Sequence, residues 1–250
     1  MNAIPETLLN DGDASRPTLV CIPGAMCHPR VFESCAQLSG LRAVALHWLE
    51  TDGPHDLERI AARIAESISR TPRVILAGHS LGVPLAVLTA LRARANGISR
   101  VEGLILSNSG ANTRGHGDVD ALVERIRNEW AQPFWDAFVA RCFHRLPQGA
   151  LLDAVRGYPS QVDKEAVIEA IRSQQVTDLL PVLSALADVP TAVVHGEHDS
   201  ARTIDHAREL SGAIPGSTLH LLDTGHTSCA ENPEAFAAII RSIASDALRI

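Results

Sequence analysis

The sequence has no basic run, no CxxC pair, no apolar stretch long enough to cross a membrane, and few aromatic residues. Without a basic run, and with a formal net charge of -7, it carries no electrostatic footprint for nucleic acid. The five cysteines (Cys21, Cys27, Cys35, Cys142, Cys229) are odd in number and lack metal-ligand spacing, so free thiols in a reducing cytoplasm are expected. The start, Met1-Asn2-Ala3-Ile4-Pro5-Glu6, has no basic segment leading into an apolar one. A signal peptide and a membrane partner are therefore not expected. Internal repeats and low-complexity tracts are missing too. What remains is 250 residues, 46% hydrophobic and 20% charged, enough for one sizeable core with room for an accessory segment.

Short apolar runs alternate with amphipathic stretches, the pattern of a parallel sheet covered by helices. Strands are expected at Thr18 to Ile22, Ala43 to Trp48, Val74 to Ala77, Gly103 to Ser107, Thr191 to His195 and Thr218 to Leu222. Leu57, Ile60, Ala61, Ile64, Ala65 and Ile68 recur at helical spacing. Further helices are expected from Leu81 to Ala95, around Thr203 to Leu210, and from about Pro233 to Leu248. The alternation stops between about Asn112 and Asp178, a polar helical stretch holding six of the nine aromatics. The expected organisation is an α/β core from 1–111 and 179–250, with 112–178 inserted as a helical lid. Within it Trp130, Phe134 and Phe138 share one helical face, with Arg141 or Cys142 beyond and Trp135 off the stripe. These rings and Met26 are the candidates for a substrate pocket, although the aromatic stripe would serve equally as lid core.

Gly78-His79-Ser80-Leu81-Gly82 is a G-x-S-x-G between a β-branched strand and a helix. A sharp strand-to-helix turn needs glycines beside its central residue, and it raises that serine above the sheet at a helix N-terminus. A serine hydroxyl needs a base to act as nucleophile. His226, in the loop after Thr218 to Leu222, is the candidate; His220 lies within that strand, and His79 adjoins the serine with its side chain directed away. Asp199, just past the Thr191 to His195 strand, is the acid that would orient the base, with Glu197 and Asp205 as rivals. In a doubly wound sheet all three loops emerge at the same carboxyl edge. The amide of Leu81 and one from Pro23-Gly24-Ala25-Met26, with Ala25 favoured over Met26, are candidate oxyanion donors. His195, His198 and His206 lack a completing ligand set, so neither a metal nor a cofactor is expected.

The stretches PGAM, GHSLG, VPTAVVHGEHD and TGH followed by ENPEAF resemble the α/β-hydrolase superfamily over nearly the whole chain. Leu106-Ser107-Asn108-Ser109-Gly110-Ala111, with the Arg- and Trp-containing segment after it, looks like the 3-oxoadipate enol-lactonase and carboxylesterase-like branch. Two departures stand out. Many relatives carry His-Gly where this chain has Pro23-Gly24, and an Asp-x-x-Gly-x-Gly loop where it has Leu49-Glu50-Thr51-Asp52-Gly53-Pro54. The Pro23-Gly24-Ala25-Met26-Cys27-His28-Pro29-Arg30-Val31 stretch also resembles the cofactor-free dioxygenases of this fold. The resemblance implies a cofactor-free serine hydrolase acting on a small-molecule ester or lactone. The same triad would serve a carbon–carbon (diketone) hydrolase, or a thioesterase or methylesterase on a carrier-bound acyl group. For such an acidic carrier Arg125, Arg127, Arg141, Arg145 and Arg156 could serve, although spaced arginines on helices are ordinarily solvated. A ligand-binding receptor on the same fold is the non-enzyme alternative.

Overall fold

Runs of β-branched and aliphatic residues bounded by proline, glycine and charge build the centre of the molecule. The computed structural model describes residues 4–97 and 100–247; the expected helix end at Leu248 and the first three residues lie outside them. Among the described residues seven strands form one sheet: β1 (Glu6–Asn10), β2 (Thr18–Ile22), β3 (Ala43–Leu46), β4 (Arg73–His79), β5 (Arg100–Ser107), β6 (Thr191–Gly196) and β7 (Thr218–Leu222). Their order is β1-β3-β2-β4-β5-β6-β7. β1 pairs antiparallel with β3, and every other pairing is parallel. β1 was not foreshadowed in the strand pattern, because Glu-Thr-Leu-Leu-Asn has neither a clean alternation nor a continuous apolar run.

Helices cover both faces. These are α1 (Glu33–Ser39), α2 (Leu57–Ile68), α3 (Gly82–Asn96), α4 (Val119–Glu129), α5 (Gln132–Cys142), α6 (Ala150–Gly157), α7 (Lys164–Val176), the short α8 (Leu180–Leu183), α9 (Ile204–Ala213), the short α10 (Ser228–Glu231) and α11 (Pro233–Asp246). α2 starts where the Asp56 carboxylate accepts the amide of Arg59, and it buries the apolar stripe seen in its sequence. α3 is buried along most of its length, and Pro84 sits in its first turn, where no amide is required. Alternate residues of the central strands divide the core into two layers. One includes Val20, Leu76 and Leu104; the other includes Leu19, Ile75 and Ile105. No helix among the described residues is long and apolar enough to cross a membrane.

α4 to α7 all fall between β5 and β6. α5 begins at Gln132 with Pro133 in its first turn, and Trp130 caps the end of α4. Three of these helices wall a cavity above the carboxyl edge of the sheet, where the loops after β2, β4, β6 and β7 converge.

Candidate active site

The turn after β4 places Ser80 at φ 54°, a left-handed conformation that L-residues avoid unless the surroundings impose it. Two backbone bonds impose it: the Ser80 amide donates to Ser107 O at 2.9 Å, and the Val83 amide donates to Ser80 O at 3.0 Å. The flanking glycines are required by space. A Cβ at Gly78 would collide with the carbonyl of Gly82, and one at Gly82 with that of Ile22. The loop after β2 approaches as closely: a Cβ on Gly24 would lie 2.9 Å from the Cβ of Ser80. That proximity brings Ala25 and Met26 to the serine, and Met26 takes a φ of 56°.

His226 Nδ1 lies 2.8 Å from Asp199 Oδ2, with side-chain exposures of 6% and 0%. Asp199 Oδ1 accepts the amides of Ala201 (2.8 Å) and Arg202 (2.9 Å), and Oδ2 also accepts Asn108 Nδ2 at 3.1 Å. Burial alone would raise this carboxyl's pKa. The His226 charge, its hydrogen bond, and those from Arg202 and Asn108 outweigh burial and hold Asp199 well below the usual carboxylate range. The rivals lie elsewhere: Glu197 is exposed, exposed Asp205 pairs with Arg208, and His220 bonds Thr218 within β7.

Ser80, Leu81, Ala25, Met26 and His226 line one cavity of about 100 Å³ with Phe138 of α5. Two larger clefts, about 370 and 590 Å³, open at the opposite edge of the sheet around Thr191, Thr218, Pro72 and Arg100, away from Ser80. Of the aromatic candidates only Phe138 reaches the cavity. Trp130, Phe134 and Trp135 are not in its lining. Trp130 packs on Phe134 at 6.1 Å and on Trp135 at 5.7 Å between ring centres, Phe134 is buried, and Arg125 lies over its ring. These rings pack together before and in the first turn of α5, and Phe134 joins the hydrophobic core.

Four features of the site were not among the sequence candidates. The Asn108 amide, at φ 55° just past β5, bridges Asp199 Oδ2 and Gly225 O (3.1 Å each), with Ser107 Oγ donating to its Oδ1. His79 Nε2 donates to the carbonyl of His226 at 2.9 Å, its ring 5.1 Å from that of His226. Burial, then the nearby His226, pushes its pKa down to about 3, so the ring is neutral. Glu231 ties the base loop to the chain after α5: it accepts Gly225 N with Oε1, and His144 N and Arg145 N with Oε2. Arg202 lines the cavity while buried. In the sequence pattern Asn108 and Glu231 lie within the Leu106 to Ala111 and ENPEAF stretches and His79 adjoins the serine, with no role marked for any of them, and nothing singled out Arg202.

The alpha/beta hydrolase family model matches residues 19–239, and the chain belongs to that family. No curated protein matches the sequence. Among solved structures, the chain is similar to an enol-lactonase from Burkholderia xenovorans (22% identity, TM-score 0.79), over 97% of this chain and 96% of that one. It is also similar to an esterase from Exiguobacterium antarcticum, at 20% identity and TM-score 0.81, over 97% and 94% of the two chains. A hydrolase from Pseudomonas aeruginosa aligns at 20% identity with TM-score 0.80, over 95% and 92%. At such identities the likeness establishes the shared fold.

Proposed function

We propose that the protein hydrolyses a small carboxylic ester or lactone through an acyl-enzyme, with residues 112–178 acting as a lid over the site. The observation that carries this is the buried 2.8 Å contact between His226 and Asp199 beside a serine held at φ 54° on the same cavity. Asp199 fixes the tautomer with the proton on Nδ1, which leaves the Nε2 lone pair free for Ser80. Ser80 Oγ attacks the carbonyl carbon as its proton passes to Nε2. The oxyanion accepts the amides of Ala25 and Leu81. His226 then gives the proton to the departing alkoxide oxygen, which in a lactone stays tethered to the acyl group. Water repeats the sequence on the acyl-enzyme: Nε2 takes one proton, the acid leaves, and Ser80 recovers its hydrogen. Every role falls to the chain's own groups, so the chemistry calls on no cofactor.

The test is a panel of p-nitrophenyl esters, lactones, acyl thioesters and vinylogous diketones, run with wild type and with Ser80→Ala. Turnover of esters or lactones that drops about 10⁴- to 10⁶-fold in a folded Ser80→Ala protein is the expected result. Turnover of diketones or thioesters alone, or a Ser80→Ala protein that keeps most of its activity, would overturn the proposal.

A further inference from the structure

The cavity beside Ser80 has one apolar and one cationic side. Met26, Val119, Leu122, Phe138 and Ile171 supply the first, and Arg141 and Arg202 meet on the second. Arg202 is 4% exposed, and its Nη1 is buried with no hydrogen-bond partner among the described residues. A guanidinium has five donors and cannot shed its charge, so leaving one of them dry and unpaired is costly unless something arrives to accept it. Asp199 is the carboxylate whose charge reaches Arg202, but its acceptor sites are already filled. Its two oxygens take the amides of Ala201 and Arg202, the Asn108 side chain and the His226 ring. A carboxylate offers about four acceptor sites, and four donors occupy these. The Arg141 guanidinium accepts nothing; it donates to Ser200 O at 3.4 Å, and its charge works against that of Arg202. His116, on the same wall, is held neutral, its pKa pushed down to about 4 by burial and then by Arg202.

We infer that Arg202, with Arg141 beside it, is an anion subsite of the catalytic cavity, and that the substrate is an ester or lactone carrying its own carboxylate. The inference rests on the hydrolase proposal for the reacting end and adds the group at the other end. A carboxylate matches the planar fork of the guanidinium. A cavity of about 100 Å³ is small, which suits a short-chain dicarboxylic monoester or its lactone. The chain places this arginine three residues after the acid of the triad, so the loop that orients His226 also selects the substrate.

The experiment compares 4-nitrophenyl butyrate with mono-4-nitrophenyl glutarate, which adds a terminal carboxylate, in wild type, Arg202→Gln and Arg202→Lys, with a melting curve for each. The wild type should prefer the glutarate. Arg202→Gln should lower the glutarate-to-butyrate ratio of kcat/KM by about 10- to 150-fold, the range expected for a charged hydrogen bond, and Arg202→Lys should restore part of it. In parallel, calorimetry follows glutarate binding to Ser80→Ala and to the Ser80→Ala, Arg202→Gln double variant. Binding to the first and not the second is expected. That arm needs no turnover, so it decides the anion subsite even if neither ester is hydrolysed, an outcome that would count against the hydrolase proposal alone. An equal loss on both esters in Arg202→Gln would make Arg202 a positioning residue for Asp199. That outcome, or unchanged glutarate binding in the double variant, overturns the subsite; if Arg202→Gln does not fold, Arg202→Lys decides by the same ratio.

Discussion

Asn108 and His79 do for the proposed triad what neither the serine nor the acid can do for itself. Asn108 fixes the Asp199 oxygen that faces His226 and, through Gly225 O, the residue before it; His79 fixes the carbonyl of His226 from below. The imidazole is therefore anchored at its backbone on two sides and at Nδ1 by the carboxylate, and only Nε2 is free for chemistry. Within this arrangement the charge and the acceptor character of residue 199 both matter. Asp199→Asn would offer an amide N–H to Nδ1 and favour the tautomer with the proton on Nε2, where it blocks attack. The expected loss in kcat is about 10⁴-fold, while Glu197→Gln, at an exposed position, should stay within a few-fold. Steady-state kinetics on both variants check this. A crippled Glu197→Gln beside an active Asp199→Asn would remove Asp199 from its proposed role.

At the scale of elements, the aromatics around α5 divide along its length. Phe138 meets the cavity, whereas Trp130, Phe134 and Trp135 cluster with one another. Trimming Phe138 to alanine should raise KM or shift chain-length preference, with kcat/KM falling roughly 10- to 150-fold on the best ester. Trp135→Ala should instead lower stability by about 1–3 kcal/mol and leave substrate preference as it was. A graded ester series and urea melts separate the two, and the opposite assignment of effects would reverse these roles. This is also where the sequence stops being legible. The strand–helix rhythm of the core is written in local apolar runs, and β2, β7 and α2 fall on the same residues as the expected elements. Ser80, Asp199 and His226 stand out because their loops follow strands that must end at one edge. Which ring of α5 meets the cavity depends on how α4, α6 and α7 close around it, a long-range outcome that the spacing of aromatics does not encode. Asn108 and Glu231 were missed for a like reason: they bond groups distant in the sequence, about 90 residues away between Asn108 and Asp199 and over 80 between Glu231 and His144, while Arg202 matters only through the cavity that long-range folding closes beside it.

For the whole molecule, buried neutral histidines set the response to acid. The pKa of His79 in the folded state, about 3, lies below the value near 6.5 of an unperturbed histidine, and that of His116 is pushed down to about 4. Between those limits the unfolded chain binds protons that the folded chain refuses. Stability is therefore full above about pH 6.5 and declines as pH falls toward the folded-state values. His79 alone sets a limiting slope of about 1.4 kcal/mol per pH unit in that window. Urea unfolding from pH 7 to 4.5 should show this decline, and His79→Asn should flatten it; an unchanged slope would mean that His79 is protonated in the fold. The same buried histidine supports the base, so acid weakens the site along with the fold. At the centre of the proposed function stands a covalent step at Ser80. Rapid acid quench of the wild type with excess p-nitrophenyl ester, followed by intact and peptide mass spectrometry, reads it directly. The predicted result is one acyl group per chain, carried on the peptide that contains Ser80 and absent from Ser80→Ala; rapid hydrolysis with no acyl adduct, or an adduct on any other residue, would contradict it.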